Sequence, residues 1–360
     1  MSSSLGKDWL TMSDALENFT KYRMSLNPNK LCDYGIKCLD DALHKIMPND
    51  LIAIGADSGV GKSDLGLLIA GHNAKKGRKV GVFYLEGKHE EAIKRLLWRE
   101  VCDIYYKERR ENDDYIDMNY KKWATNSLPR DMIIELKKKA YLKFLEEYND
   151  NMVFYNVTDG LTLEKFTESL FEHQKEVVYE EGVIKNLYDL DLIIIDHLQY
   201  FSLTQNENEY SQITAILRAV KNITDNSKVP IILISHLRKK SKDRGLPDQE
   251  DFFGSSNIPK IASEAIVLAN ATSGENYNNG IYPTYIRFVK SRSELKAGMA
   301  IMVDFIAKER RYADEYKVYK VTHQGHILEP QLEFDALPHW AKQGTTNQYT
   351  KYRERSYTDI

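Results

Sequence analysis

Cysteine is scarce in this chain. Cys32, Cys38 and Cys102 are the only three among 360 residues. An odd, sparse set excludes a disulfide framework and fits a reducing compartment. No two are spaced as CxxC, which excludes the usual structural zinc module. Charge of one sign is also lacking. Fifty Lys and Arg stand against 53 Asp and Glu, a net of −3. Any surface that attracts nucleic acid must therefore be local. No apolar run approaches the roughly 20 residues of a membrane span. Met1 to Leu10 lacks the basic-then-apolar pattern of an export signal. Together these absences predict a cytoplasmic protein, bacterial or in a phage-infected cell, with no membrane contact.

What is present is an ordinary globular mix, 42% hydrophobic and 29% charged. It excludes a mainly disordered chain. Residues 1–30 read as a linker with one amphipathic helix over 11–26. Thr11 and Asp14 form a capping-box start, and Met12, Ala15, Leu16, Phe19, Tyr22 and Leu26 line one stripe. Asn27-Pro28-Asn29 ends it. From 31 to 328 short Ile- and Val-rich runs alternate with helical stretches. These runs are Leu51–Gly55, Val80–Leu85, Met152–Asn156, Leu190–Ile195 and Pro230–Ser235. Fully apolar strands between helices predict an α/β fold, a mostly parallel sheet with helices on both faces. Ile266–Ala269, Tyr285–Val289 and Ala300–Phe305 read as later, antiparallel strands. About 102–150 lies a charged, Tyr-rich helical insertion on the rim. Residues 329–360 read as a polar, mobile tail. No internal repeat occurs.

Five segments carry chemistry. In the first, Leu51–Ala56 runs into Asp57, Ser58, Gly59, Val60, Gly61, Lys62 and Ser63, then a helical pattern. This is a phosphate-cradling loop, in which glycines turn backbone N–H groups inward and the next helix aims its positive end at the anion. Lys62 supplies charge to the β- and γ-phosphates of ATP, and Ser63 a Mg²⁺ ligand. Ala56 stands where the strict pattern has its first glycine. In the second, Leu190–Asp196, a buried strand ends in a carboxylate fit for Mg²⁺. In the third, Val80–Glu86, Glu86 is the candidate base for water. In the fourth, Val229–Lys240, His236 is placed to report the γ-phosphate. Residues 237–245 then carry Arg238, Lys239, Lys240, Lys242 and Arg244 against Asp243, a local basic patch. The fifth is Tyr285–Arg292, whose Lys290 and Arg292 are either surface charge or a finger for a neighbour's γ-phosphate.

This ordered set resembles the ring-shaped replicative helicases of the DnaB-like superfamily, above all the helicase half of phage and mitochondrial primase–helicases. "YGIKCLDDAL…NDLIAIGADSGVGKS" is similar to that family's entry and nucleotide loop. "RKVGVFYLEGKHEEA" is similar to the segment carrying the catalytic base, and "DLIIIDHLQYF" to the Mg²⁺ segment. "VPIILISHLRKK" resembles the sensor in its phage and mitochondrial form. "DFFGSSNIPKIASEAIVL" resembles the central-channel loop that tracks single-stranded DNA, which adds Phe253, Gly254, Ser255 and Ser256 to the DNA candidates. "KSR" at 290–292 matches the finger hairpin. The resemblance covers roughly residues 33–310. It implies a RecA-like ATPase with ATP between neighbours of a homo-hexameric ring, 5′→3′ movement on single-stranded DNA, and an N-terminal helix docked on the next subunit. It also makes a separate primase, polymerase or loader a candidate partner. Three departures stand out: no primase-like domain precedes the motifs, Phe253 replaces a frequent Arg, and the 102–150 insertion has no counterpart. Two other readings share the core, a filament-forming recombinase or mediator and a regulatory or defence ring ATPase that unwinds nothing.

Overall fold

The computed structural model describes residues 10–108, 117–156, 160–180, 183–201, 208–238, 245–254, 257–271, 280–291 and 298–342. The chain begins with α1 (Met12–Ser25). Thr11 Oγ1 accepts from the Asp14 N–H, and the Asp14 carboxylate accepts from the Thr11 N–H. No residue of α1 is buried, and Met12, Leu16 and Phe19 are exposed. A small lobe of β1 (Cys32–Asp33), α2 (Lys37–Leu43) and β2 (Lys45–Ile46) follows. Then come β3 (Leu51–Ala56), α3 (Lys62–Lys75), β4 (Val80–Tyr84), α4 (His89–Glu108), α5 (Tyr120–Ala124), α6 (Arg130–Tyr148) and β5 (Met152–Phe154). Next are α7 (Leu163–Phe171), the hairpin of β6 (Gln174–Glu180) and β7 (Val183–Tyr188), β8 (Leu192–Asp196), α8 (Glu209–Ser227) and β9 (Ile231–His236). The last elements are α9 (Asn257–Ile261), β10 (Glu264–Asn270), β11 (Ile281–Lys290), β12 (Met299–Ile306), β13 (Arg311–Val321) and β14 (Ile327–Leu328).

Ten strands form the main sheet in the order β14-β13-β12-β11-β10-β3-β9-β8-β4-β5. The six from β10 to β5 are parallel, and β11 to β14 extend the sheet antiparallel. The sequence expectation that Ile266–Ala269 begins an antiparallel group is corrected here. β10 runs parallel to β3, and the change of direction falls between β10 and β11. Because side chains alternate along a strand, β3 feeds two cores. Ile52 and Ile54 join the cluster under α2 and α3, while Leu51 and Ala53 join the cluster under α7, α8 and α9.

Two further expectations change. The stretch about 102–150 is not a rim appendage. Its first helix, α4, starts at His89, and Trp98, Val101, Trp123 and Leu136 build a third core with α5 and α6. The Trp98 Nε1–H and the Tyr120 N–H both donate to the Lys308 carbonyl, which ties this core to the β12–β13 turn. The tail is anchored as far as 342: Leu332, Leu337, Trp340 and Ala341 pack on the main core, and the Leu332 N–H donates to Val318. Residues 343–360 lie outside the described residues. All three cysteines are free and buried.

Ala341 is fully buried, so Ala341→Asp should cost about 2–4 kcal/mol, as expected for an unpaired polar group in a core. Denaturant unfolding of the full chain measures this. An unchanged midpoint would mean that residues 332–341 are not anchored.

Candidate nucleotide-hydrolysis site

Register puts the chemistry on one edge. Ala56 pairs with His236, Tyr84 with Asp196, and Asp196 with Ile234. The C-terminal ends of β3, β4, β8 and β9 therefore open together, the edge at which open α/β sheets bind ligands. The loop Asp57–Gly61 leaves β3 there. Gly59 and Gly61 have φ of +84° and +101°, conformations that other residues adopt only under strain. A Cβ at Gly59 would meet nothing within 4 Å, so the requirement there is backbone conformation rather than space. Asp57 and Ser58 are exposed, whereas Val60, Lys62 and Ser63 are buried. Lys62 opens α3, so the first-turn N–H groups of that helix face the loop.

Glu86 follows β4. The N–H groups of Leu85 and Glu86 both donate to the Asp196 carbonyl, which holds the two carboxylate-bearing segments together. Glu86 Oε2 lies 3.9 Å from Lys62 Nζ and accepts from Ser63 Oγ at 3.4 Å. Asp196 is 2% exposed, and neither of its carboxylate oxygens has a hydrogen bond. Burial pushes its pKa up to about 6; Ser63 beside it and the Lys62 charge pull it down, while Glu86 raises it further. Two buried, unpartnered oxygens next to a serine hydroxyl form a hard-oxygen donor set, which fits Mg²⁺.

His236 ends β9. Its ring meets that of His197 edge-on, with centroids 4.2 Å apart. Burial, with Lys62 nearby, lowers the pKa of both histidines, His197 to about 3, so both are neutral near pH 7. Gln199 organises the pair. Its Nε2 donates to Ser235 Oγ at 2.8 Å and to the Phe253 carbonyl at 3.3 Å. Its Oε1 faces the His236 N–H at 3.3 Å and His197 Nδ1 at 2.9 Å. An amide oxygen only accepts, so Nδ1 of His197 carries the proton and its Nε2 is a bare lone pair.

A cavity of about 800 Å³ extends from the loop past Tyr84, Tyr282 and Phe305 to Asn119, Tyr120 and Lys121. Behind it Asp64 is held by Arg99 and Arg310, each at 2.9 Å, and Arg95 at 3.4 Å. The Arg310 guanidinium lies 4.4 Å over the Tyr120 ring.

The structure thus brings together Ala56, Asp57, Ser58, Gly59, Val60, Gly61, Lys62, Ser63, Glu86, Asp196 and His236. Arg238 and Phe253 adjoin them: Leu237 bridges Phe252, the Arg238 N–H donates to Asp251, and the Phe253 N–H donates to the His236 carbonyl. Gly254 follows at φ +85°. Lys290 is elsewhere. It pairs with Ala265, which pairs with Ala53, so it lies toward the opposite edge of the sheet. Its Nζ donates to the Lys260 carbonyl. Arg292, Lys239, Lys240, Lys242, Ser255 and Ser256 lie outside the described residues. Sequence reasoning passed over His197 and Gln199, although both stand in the quoted "DHLQYF". It also passed over Tyr120, Arg95 and Arg310, which come from segments without a motif.

Fold and site define a P-loop ATPase core of the RecA-like kind. Residues 32–149 and 164–314 match the family model of the DnaB-like helicase C terminal domain, and the chain belongs to that family. It is 20% identical over 274 residues to a probable plasmid replicative DNA helicase of Chlamydia trachomatis, covering 73% of this chain and 54% of that one. It is 22% identical over 301 residues to the replicative DNA helicase DnaB of Haemophilus influenzae, covering 78% and 57%. The chain spans about half the length of these curated relatives. Among solved structures it is similar in fold to the ATPase domain of a phage helicase, with a TM-score of 0.63 and 18% identity, over 86% of this chain and all of that one. Among the described residues no helix is long and apolar enough to cross a membrane.

Asp196 supplies a pH test. A raised folded pKa makes its charge a cost that is full above pH 6 and fades as the pH falls toward the ordinary value near 4. In chelator, Asp196→Asn should stabilise the protein by about 2–3 kcal/mol at pH 8, and the gain should shrink by pH 5. Denaturant titrations at both pH values measure it. No gain, or a gain larger in acid, would contradict the assignment.

Proposed function

We propose that this chain is the motor of a replicative DNA helicase. It hydrolyses ATP at the edge formed by β3, β4, β8 and β9 and moves 5′→3′ on single-stranded DNA as a homo-hexameric ring. One observation carries the ATPase part: Lys62, Ser63, Glu86, Asp196 and His236 converge there, with both Asp196 oxygens buried and unpaired. Lys62 neutralises phosphate charge that grows in the transition state. Ser63 and Asp196 would hold Mg²⁺, which supplies further neutralisation of the phosphate oxygens. Glu86 orients the attacking water and takes its proton, and neutral His236 donates a hydrogen bond to the γ-phosphate.

Gln199 offers the coupling. It spans His197, the His236 backbone and the Phe253 carbonyl, so a shift at the phosphate sensor reaches the segment carrying Arg238, Phe253 and Gly254. Phe253 is 41% exposed and suits stacking on a base. With Ser255, Ser256 and the lysines at 239, 240 and 242 it makes up the proposed DNA contact. Lys290 and Arg292 act on a neighbour's site. The exposed stripe of α1 docks on the next subunit. A cytoplasmic setting and a separate primase, polymerase or loader complete the reading.

ATP hydrolysis should rise on adding single-stranded DNA, and the rise should fade at higher salt as phosphate contacts are screened. Turnover indifferent to DNA would favour a regulatory ring ATPase. Glu86→Gln should lower turnover by about 10²–10⁴-fold and leave ATP binding intact, measured by equilibrium binding beside the kinetics. In mixed assemblies Arg292→Ala subunits should silence their neighbours' sites. Loss confined to the altered subunit's own site would refute the trans assignment.

A further inference from the structure

We propose that Glu86, His197 and His236 form a binding site for a borderline divalent transition ion, of which Zn²⁺ and Co²⁺ are the working examples. The site is separate from the hard-cation position at Ser63 and Asp196. One ligand atom from each of the three side chains lies within 4.8 Å of the other two. Nε2 of His197 stands 4.0 Å from Glu86 Oε2. It is buried in a side chain only 2% exposed, and it has no hydrogen-bond partner. Gln199 occupies Nδ1 of the same ring, so the free nitrogen is the one that can ligate. A second hydrogen bond that fixes ring and tautomer is the usual support of a metal-bound histidine.

Ligand chemistry separates the two cations. Mg²⁺ favours oxygen donors and keeps its waters, whereas imidazole nitrogen suits zinc and cobalt. Bonds of about 2.0–2.2 Å require the three donors to draw in by roughly an ångström, and three protein ligands leave a fourth position open. Glu86 can supply that movement, because its side chain is 38% exposed while His197 is fixed. An ion held here occupies the carboxylate proposed above as the base for water. Its effect, arrest of turnover, rests on that reading, whereas binding stands on the geometry alone.

The test uses the full chain, free of nucleotide and stripped with chelator, titrated with Co²⁺ and followed by visible absorption. One cobalt should bind with ligand-field bands. Equimolar Zn²⁺ should abolish them and a large excess of Mg²⁺ should not. His197→Asn and His197→Gln should each weaken binding by at least about 100-fold, more than the 10–100-fold loss typical of an outer-shell partner. His72→Asn, at the histidine near Asp33, should change nothing. Should the His197 variants lose their fold by circular dichroism, Glu86→Gln carries the same expectation. Absence of the bands, their persistence in the folded variants, or their loss to Mg²⁺ would overturn the proposal. None of these outcomes depends on ATP or DNA, so a failed helicase reading and a failed metal site are told apart.

Discussion

Asp196 ends a buried strand with both carboxylate oxygens out of water and without a hydrogen bond. A charge so placed is unfavourable unless something compensates it. Within the chain, compensation is partial. Lys62 lies nearby, Ser63 adjoins, and the rest of the environment pushes the pKa up. Much of the local architecture keeps this group in place. Two backbone N–H groups from the Glu86 segment grip the Asp196 carbonyl, and β8 is flanked by β4 and β9 through ladders that cannot slip without turning the edge inside out. The strain is local and purposeful, since a cation at this position relieves it.

The central strands were legible because they are buried on both faces. Leu51–Ala56, Leu192–Asp196 and Ile231–His236 read as unbroken apolar runs, and each ends in the residue whose chemistry matters. The nucleotide loop was legible for a related reason, since its glycines and Lys-Ser pair have few other uses between a strand and a helix. Arg311–Val321 was not legible. It is a strand with one wet face, and its exposed charges interrupt the apolar pattern. β6 and β7 carry a similar mixture. The direction of β10 was also beyond a single-strand reading, because direction is decided by which neighbour a strand meets.

His197 and Gln199 illustrate a different gap. Neither residue type has a fixed role beside a strand-end aspartate, and an interior histidine is more often merely satisfied. Their importance is relational. Gln199 matters because His236, Ser235 and Phe253 reach the same amide from other segments of the chain. Tyr120 is similar. Only the tertiary contact with Lys308 brings it to the nucleotide cavity and under Arg310. Residues of this kind are specified by packing and carry no motif.

Register also bears on assembly. The parallel strands collect Lys62, Glu86, Asp196 and His236 at their C-terminal ends. β11 runs the other way, so its own C-terminal end, at Lys290, lies level with the start of β10 and β3. The two ends of the sheet thus carry complementary charge chemistry, phosphate-binding at one and cationic at the other. A sheet is too stiff to fold one end onto the other. Two copies placed head to tail bring the cationic end of one to the phosphate end of the next, and such a heterologous contact closes into a ring or runs on as a filament. The exposed apolar stripe of α1 adds area that the single chain leaves uncovered. The antiparallel extension of the sheet therefore does more than widen the core: it carries one strand back to the far edge, where its cations can serve only a neighbour.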